Sequence, residues 1–162
     1  MRLRARGARC RRRTDQRGAA LIEFVLVLPL VLLILFGMID FGKAFSYWND
    51  ETHLANEAAR YAVVNKNPST GGGSLQSYIQ QQADTPELRN GGTSAIPVGT
   101  QVCISFPNGT ATVGDPVEVT VTTDYHFIPF IGTKIGVASK SISGSSIMRL
   151  EAPPTNYAAG CT

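Results

Sequence analysis

Between Ala19 and Ile39 the chain runs 21 residues with one charge, Glu23. At 1.5 Å per residue this is about 31 Å of helix, which matches a hydrocarbon core of about 30 Å. The pattern predicts a membrane-spanning helix. A secretory signal is the rival reading, but its apolar core runs about 7–15 residues and ends at a small-x-small site. Phe36-Gly37-Met38-Ile39-Asp40-Phe41 offers no such site. Past Ile39 the pattern becomes amphipathic. Phe41, Ala44, Phe45, Trp48, Thr52, Ala55, Ala59 and Ala62 step by three or four, while Lys43, Asp50 and Glu57 recur every seven on the other face. One helix of about 45 residues is expected, ending where Asn65-Lys66-Asn67-Pro68 breaks it. Pro29 removes a backbone donor near the middle of the span and predicts a kink there. Phe41, Phe45, Tyr47 and Trp48, just beyond the apolar run, read as an interfacial aromatic belt.

After the helix the periodicity weakens and then shortens. Ser69 to Ser74 reads as a flexible linker and Leu75 to Ala83 as a short second helix, with a further break at Asn90-Gly91-Gly92. From Thr100 the alternation is that of strands. Val102, Ile104 and Phe106 alternate with Cys103 and Ser105, and Pro107-Asn108-Gly109-Thr110 is a hairpin turn. Val117, Val119 and Val121 alternate with Glu118, Thr120 and Thr122, the pattern of a strand with one buried and one wet face. Tyr125 to Ile131 contains Pro129 and reads as an edge or crossing segment. Ile135 to Leu150 is a last extended region, with a bulge expected at Gly144. The expected architecture is α+β, a long N-terminal transmembrane and amphipathic helix followed by a small antiparallel-sheet head. Its segments are a basic leader (1–18), the helix (19–65), a linker with a short helix (66–99) and an extracytoplasmic β-rich domain (100–162).

Charge sharpens the topology. The formal net charge of +3 hides an imbalance: eight arginines against one acid give the leader +7, and seven basic against eleven acidic residues give the remainder −4. Beside a spanning helix, positive charge marks the cytoplasmic side, so the head is expected outside the membrane and nucleic acid is not an expected partner. Cys103 and Cys161 then lie where disulfides persist, and a bond between them is expected.

Catalytic chemistry is not expected. His53 and His126 stand in no metal-ligand spacing, no Gly-x-Ser-x-Gly elbow occurs, and the glycine run lacks the Lys-Ser/Thr ending of a phosphate-binding loop. No metal, cofactor or catalytic residue is assigned.

The string Arg17-Gly18-Ala19-Ala20-Leu21-Ile22-Glu23-Phe24 resembles the processing site of type IV pilin-like proteins. With its continuation to Leu30, Phe36 to Gly42, the segment Ala55 to Ala62 and the closing Ile147-Met148-Arg149-Leu150-Glu151, the chain resembles the TadE-like family, pseudopilins of the Flp (Tad) pilus assembly system. The resemblance implies cleavage between Gly18 and Ala19 by a prepilin peptidase, with Glu23 as the fifth residue of the mature chain. It implies as partners the lipid bilayer, that peptidase, other pilin-like subunits and Tad assembly components. A charge near a bilayer centre costs roughly 2.5–3.5 kcal/mol, which makes Glu23 the expected assembly charge. The alternative is a non-polymerising anchored binding protein or adhesin, and an envelope enzyme ranks last.

Overall fold

A computed structural model describes residues 15–69, 71–129, 132 and 136–162. The chain divides into two compact units, residues 1–38 and Ile39–Thr162. One helix, α1 (Asp15–Val63, 49 residues), runs through both and continues uninterrupted past Pro29. The second unit adds α2 (Leu75–Gln81), α3 (Pro86–Asn90), β1 (Gln101–Ser105), β2 (Pro116–His126), β3 (Ser139–Arg149) and β4 (Gly160–Cys161). The strands form one antiparallel sheet in the order β3-β2-β1-β4. The fold is therefore α+β, a long apolar helix leading into a small antiparallel head.

In the first unit no residue from Ala19 to Met38 is buried. That helix is long and apolar enough to cross a membrane. In the second unit Leu54, Ala55, Ala58, Ala59 and Ala62 of α1 enter one core with Val102 and Ile104 of β1 and Val117, Val119, Val121 and Tyr125 of β2. Leu75, Ile79, Ala83, Leu88 and Ile96 close the same core. Much of the segment read as a linker is thus core. Ser74 caps α2 by accepting from the Ser77 amide at 3.1 Å, and Thr85 caps α3 by accepting from the Leu88 amide at 3.3 Å, with Pro86 in the first turn.

Helix α1 ends in a Schellman motif. Asn65 takes φ 51°, its amide donates to the Ala62 carbonyl, and the Lys66 amide donates to the Tyr61 carbonyl. The C-terminal tail satisfies further carbonyls: the Glu151 and Ala152 amides donate to Val63 and the Tyr157 hydroxyl to Ala62.

Three local expectations change. Tyr125 and His126 end β2, where they pair with Lys140 and Ser139 of β3 while β1 reaches only to Thr122, and Pro129 falls beyond the strand. Phe130 and Ile131, the rest of that segment, lie outside the described residues, as does Ile135. Gly144 is no bulge. It pairs in register with Val121, and a Cβ built on it would lie 2.5 Å from the Thr52 amide nitrogen and 2.6 Å from the Glu51 carbonyl carbon. The glycine is there because strand and helix backbones meet at that point. The third change is the amphipathic stripe: Ala55, Ala59 and Ala62 are buried, but Phe41, Phe45 and Trp48 are exposed, and Asp50, expected on the wet face, is buried.

Candidate assembly site

Gly18 and Ala19 sit in the opening turns of α1, both exposed, with no side chain or other segment within 4 Å of a Cβ built on Gly18. The first four amides of a helix lack intrahelical partners, and glycine costs a helix about 1 kcal/mol relative to alanine. The Gly18–Ala19 bond therefore lies in the part of α1 that unwinds most readily. Glu23 follows one turn later, exposed and surrounded in sequence by Leu21, Ile22, Phe24 and Val25, which are exposed too. Pro29 lies within the same apolar stretch. These four residues are brought together by helix geometry alone.

Cys103 and Cys161 are joined by a disulfide in the head, their Cα atoms 4.1 Å apart, and so link β1 to the two-residue edge strand β4. The bond ties the C-terminal tail to the edge of the sheet.

The acids of the outer half of α1 make contacts that their spacing along the helix does not predict. Asp40, 4 % exposed, accepts from the Tyr125 hydroxyl and, at 2.9 Å, from the Ile128 amide. It pins the start of the β2–β3 connection to the point where α1 enters the head. Two turns on, the Tyr47 hydroxyl donates to Glu87 at 2.7 Å, and Asp50 accepts from the Asp84 amide at 3.1 Å. These bonds fasten the α2–α3 region to the same helix. Hydrogen bonds to charged groups contribute about 1.5–3 kcal/mol each, so this row of polar contacts holds the head to α1 as the alanines alone would not. Burial, helped by the Glu87 carboxylate, pushes the Tyr47 hydroxyl up to about 12. Burial likewise raises Asp50, against the bond from the Asp84 amide.

Glu51 is different. It is fully buried, and neither carboxylate oxygen has a hydrogen-bond partner. The neighbouring Thr123 hydroxyl pairs with that of Thr100 at 2.8 Å. Burial pushes the Glu51 carboxyl up to about 8, with Asp50 adding to the rise and Thr123 opposing it. A spacing argument finds Asp50 and Glu51 adjacent on a helix and assigns both to solvent. Only the position of Gly144, which lets β3 settle on Glu51 and Thr52, reveals why Glu51 is fully enclosed.

Asn65, where the helical pattern stops, also anchors the C-terminal tail. Its side-chain oxygen accepts from the Thr155 and Asn156 amides, both at 2.9 Å, and its amide group donates to the Thr155 hydroxyl at 2.7 Å. Among the described residues no group of three or more His, Cys, Asp or Glu side chains is placed to hold a metal ion.

No curated protein and no solved structure gives a significant match to this chain. A family model does match, over residues 18–60, and its description is TadE-like protein. The matched stretch starts at the glycine before the apolar run and ends inside the alanine-rich turn that enters the core. Over residues 18–60 the chain is similar to the TadE-like family, and that stretch holds an apolar helix able to span a membrane.

Proposed function

We propose that this protein is a membrane-anchored, pilin-like component of the Tad pilus machinery that acts by subunit–subunit assembly and carries no catalytic activity of its own. The observation that carries the reading is Glu23, the single charge in a 21-residue apolar run, five residues after Gly18. Exposed in the isolated chain, it would face lipid or another subunit. An uncompensated charge there costs a few kcal/mol. Cleavage after Gly18 by a prepilin peptidase would give Ala19 a free ammonium. Pairing of that ammonium with Glu23 of a neighbouring copy would remove two unpaired charges from lipid together. It would also fix the axial register of helices that otherwise slide past one another. The arginine-rich leader would lie in the cytoplasm and the head outside.

Mass spectrometry of the membrane-extracted chain tests processing. A mature N-terminus at Ala19 is expected, and Gly18→Leu should retain the leader. A functional chain that still begins at Met1 would instead be a tethered binding protein or adhesin. Glu23→Gln is expected to insert normally but to be lost from pilus-associated complexes; its recovery there at wild-type level would refute the pairing.

A further inference from the structure

The exposed aromatic side chains of the head are gathered in one place. Among its described residues these are Phe41, Phe45 and Trp48, at 69 %, 57 % and 47 % exposure. The Phe45 and Trp48 rings touch, with centroids 5.6 Å apart. Together with Phe127, Lys140 and Ile142 the three line a shallow apolar groove between α1 and the start of β3. The β2–β3 connection exposes Ile128, which lines the adjoining groove, and Asp40 anchors the Ile128 amide beside α1. Lys140 lines this groove, and Lys43 lines the adjoining one that also includes Phe127.

This face begins two residues after the apolar run ends, yet an interfacial belt does not account for it. At 1.5 Å per residue along an upright helix, Phe41 stands about 3 Å past Ile39, Phe45 about 9 Å and Trp48 about 13 Å. The headgroup layer is only about 5–8 Å deep on each side. On an upright helix Phe45 and Trp48 would stand in water; a tilted α1, whose side chains lean back toward its N-terminus, brings them down to the headgroups.

We propose that the head docks on the surface of the bilayer through this groove, with Trp48 among the lipid headgroups. The chemistry fits a lipid surface. Tryptophan and phenylalanine are the side chains favoured at that depth, and the flanking lysines suit anionic phosphates. Tethering by α1 keeps the face at high effective concentration beside the membrane, so modest intrinsic affinity suffices. The inference rests on reading Ala19–Ile39 as the membrane anchor, and its test separates the two.

Trp48 is the one tryptophan of the chain, so its fluorescence reports this groove alone. The full chain is reconstituted into phosphatidylcholine–phosphatidylglycerol vesicles. Flotation with the vesicles reports the anchor. Docking is then read from quenching of Trp48 by phosphatidylcholine brominated close to the headgroup, against quenching by aqueous iodide. Loss of most emission to the brominated lipid, with little loss to iodide, is the expected result. Strong iodide quenching without lipid quenching, in vesicles that float, overturns the docking and leaves the anchor standing. Protection from both quenchers means that protein covers Trp48, a second copy included, and overturns it as well. Phe45→Ser, an exposed position outside the core, should raise iodide access to Trp48; unchanged access would show that this groove does not hold the head down.

Discussion

The two halves of α1 are one helix with opposite packing. From Ala19 to Met38 nearly every side chain is large and apolar, and none is buried. From Leu54 to Ala62 the inward positions are mostly alanine, and they are at most 1 % exposed. Hydrophobicity alone therefore does not decide burial. The first half is built for a surrounding that accepts apolar surface on every side, which lipid does and water does not. The second is built for close approach, because small side chains let a sheet and a helix share a thin core. The same chain thus carries a half that needs an external apolar partner and a half that supplies its own.

The sharpest way to break the second half is at its closest contact. Gly144→Val would put a branched side chain into the backbone of Glu51 and Thr52, where even a single Cβ lies 2.5–2.6 Å from three backbone atoms. Neither the helix nor the central strand pairing can yield locally, so strand and helix must separate. The expected loss exceeds the ordinary 1–3 kcal/mol of overpacking and approaches the roughly 5–15 kcal/mol that holds a domain folded. Thermal unfolding followed by near-ultraviolet circular dichroism should show no native head. A variant with wild-type melting would mean that β3 does not rest on α1.

Opening the disulfide comes next. Cys103 and Cys161 are 58 residues apart, and the chain-entropy model assigns a loop of that size about 4 kcal/mol. Cys103→Ser with Cys161→Ser should lower head stability by about that amount and free β4, while leaving the helicity of the apolar half unchanged. An equal loss of helicity in the apolar half would show that the two halves fold as one.

Glu51 makes the stability of the head depend on pH. Its ordinary value is 4.5, and burial lifts it to about 8 in the fold. The folded chain keeps a proton that the unfolded chain releases. Stability is then greatest below about pH 4.5, falls by about 1.4 kcal/mol per pH unit above it, and levels off beyond about pH 8. At pH 7 the deficit is on the order of 3 kcal/mol. Asp50, also raised by burial, adds to the same slope. Glu51→Gln should flatten most of it between pH 5 and 8. Denaturation midpoints that do not change with pH in the parent chain, or a slope that survives in the variant, would mean the carboxylate finds compensation when ionised.

These effects separate what periodicity can reveal from what it cannot. The long apolar helix, the strands at Val102–Ile104 and Val117–Val121 and the helix stop at Asn65 each rest on a local rule, and each was legible. The α+β class followed from their order along the chain. Glu51, Asp40 and Gly144 depend on which segment lies opposite, and no spacing along α1 contains that information. The aromatic stripe misled for a related reason. Phe41, Phe45 and Trp48 share a helical face, but hydrophobic surface facing a second medium gives the same pattern as surface facing a core. The Gly18–Glu23 motif is a local pattern, a small residue, a bond and a charge at fixed offsets, and its cleavage and pairing are proposals that no packing in the head bears on.

The smallest expected effect bears most directly on the first half. Gly37 lies in the apolar run, and a Cβ built there meets nothing within 4 Å. Gly37→Ala should therefore leave head melting unchanged and strengthen the helix by up to about 1 kcal/mol through propensity alone. Glycine in a spanning helix, however, also lets the backbone of a neighbouring helix approach closely. If the surface around Gly37 faces lipid, the variant should enter membranes and pilus-associated complexes as the parent does. If it faces another subunit, the added methyl should reduce co-purification with those complexes while the melting of the head stays the same. That dissociation between stability and assembly would identify the partner of the exposed half as protein at this position, and its absence would leave Glu23 as the point at which subunits read one another.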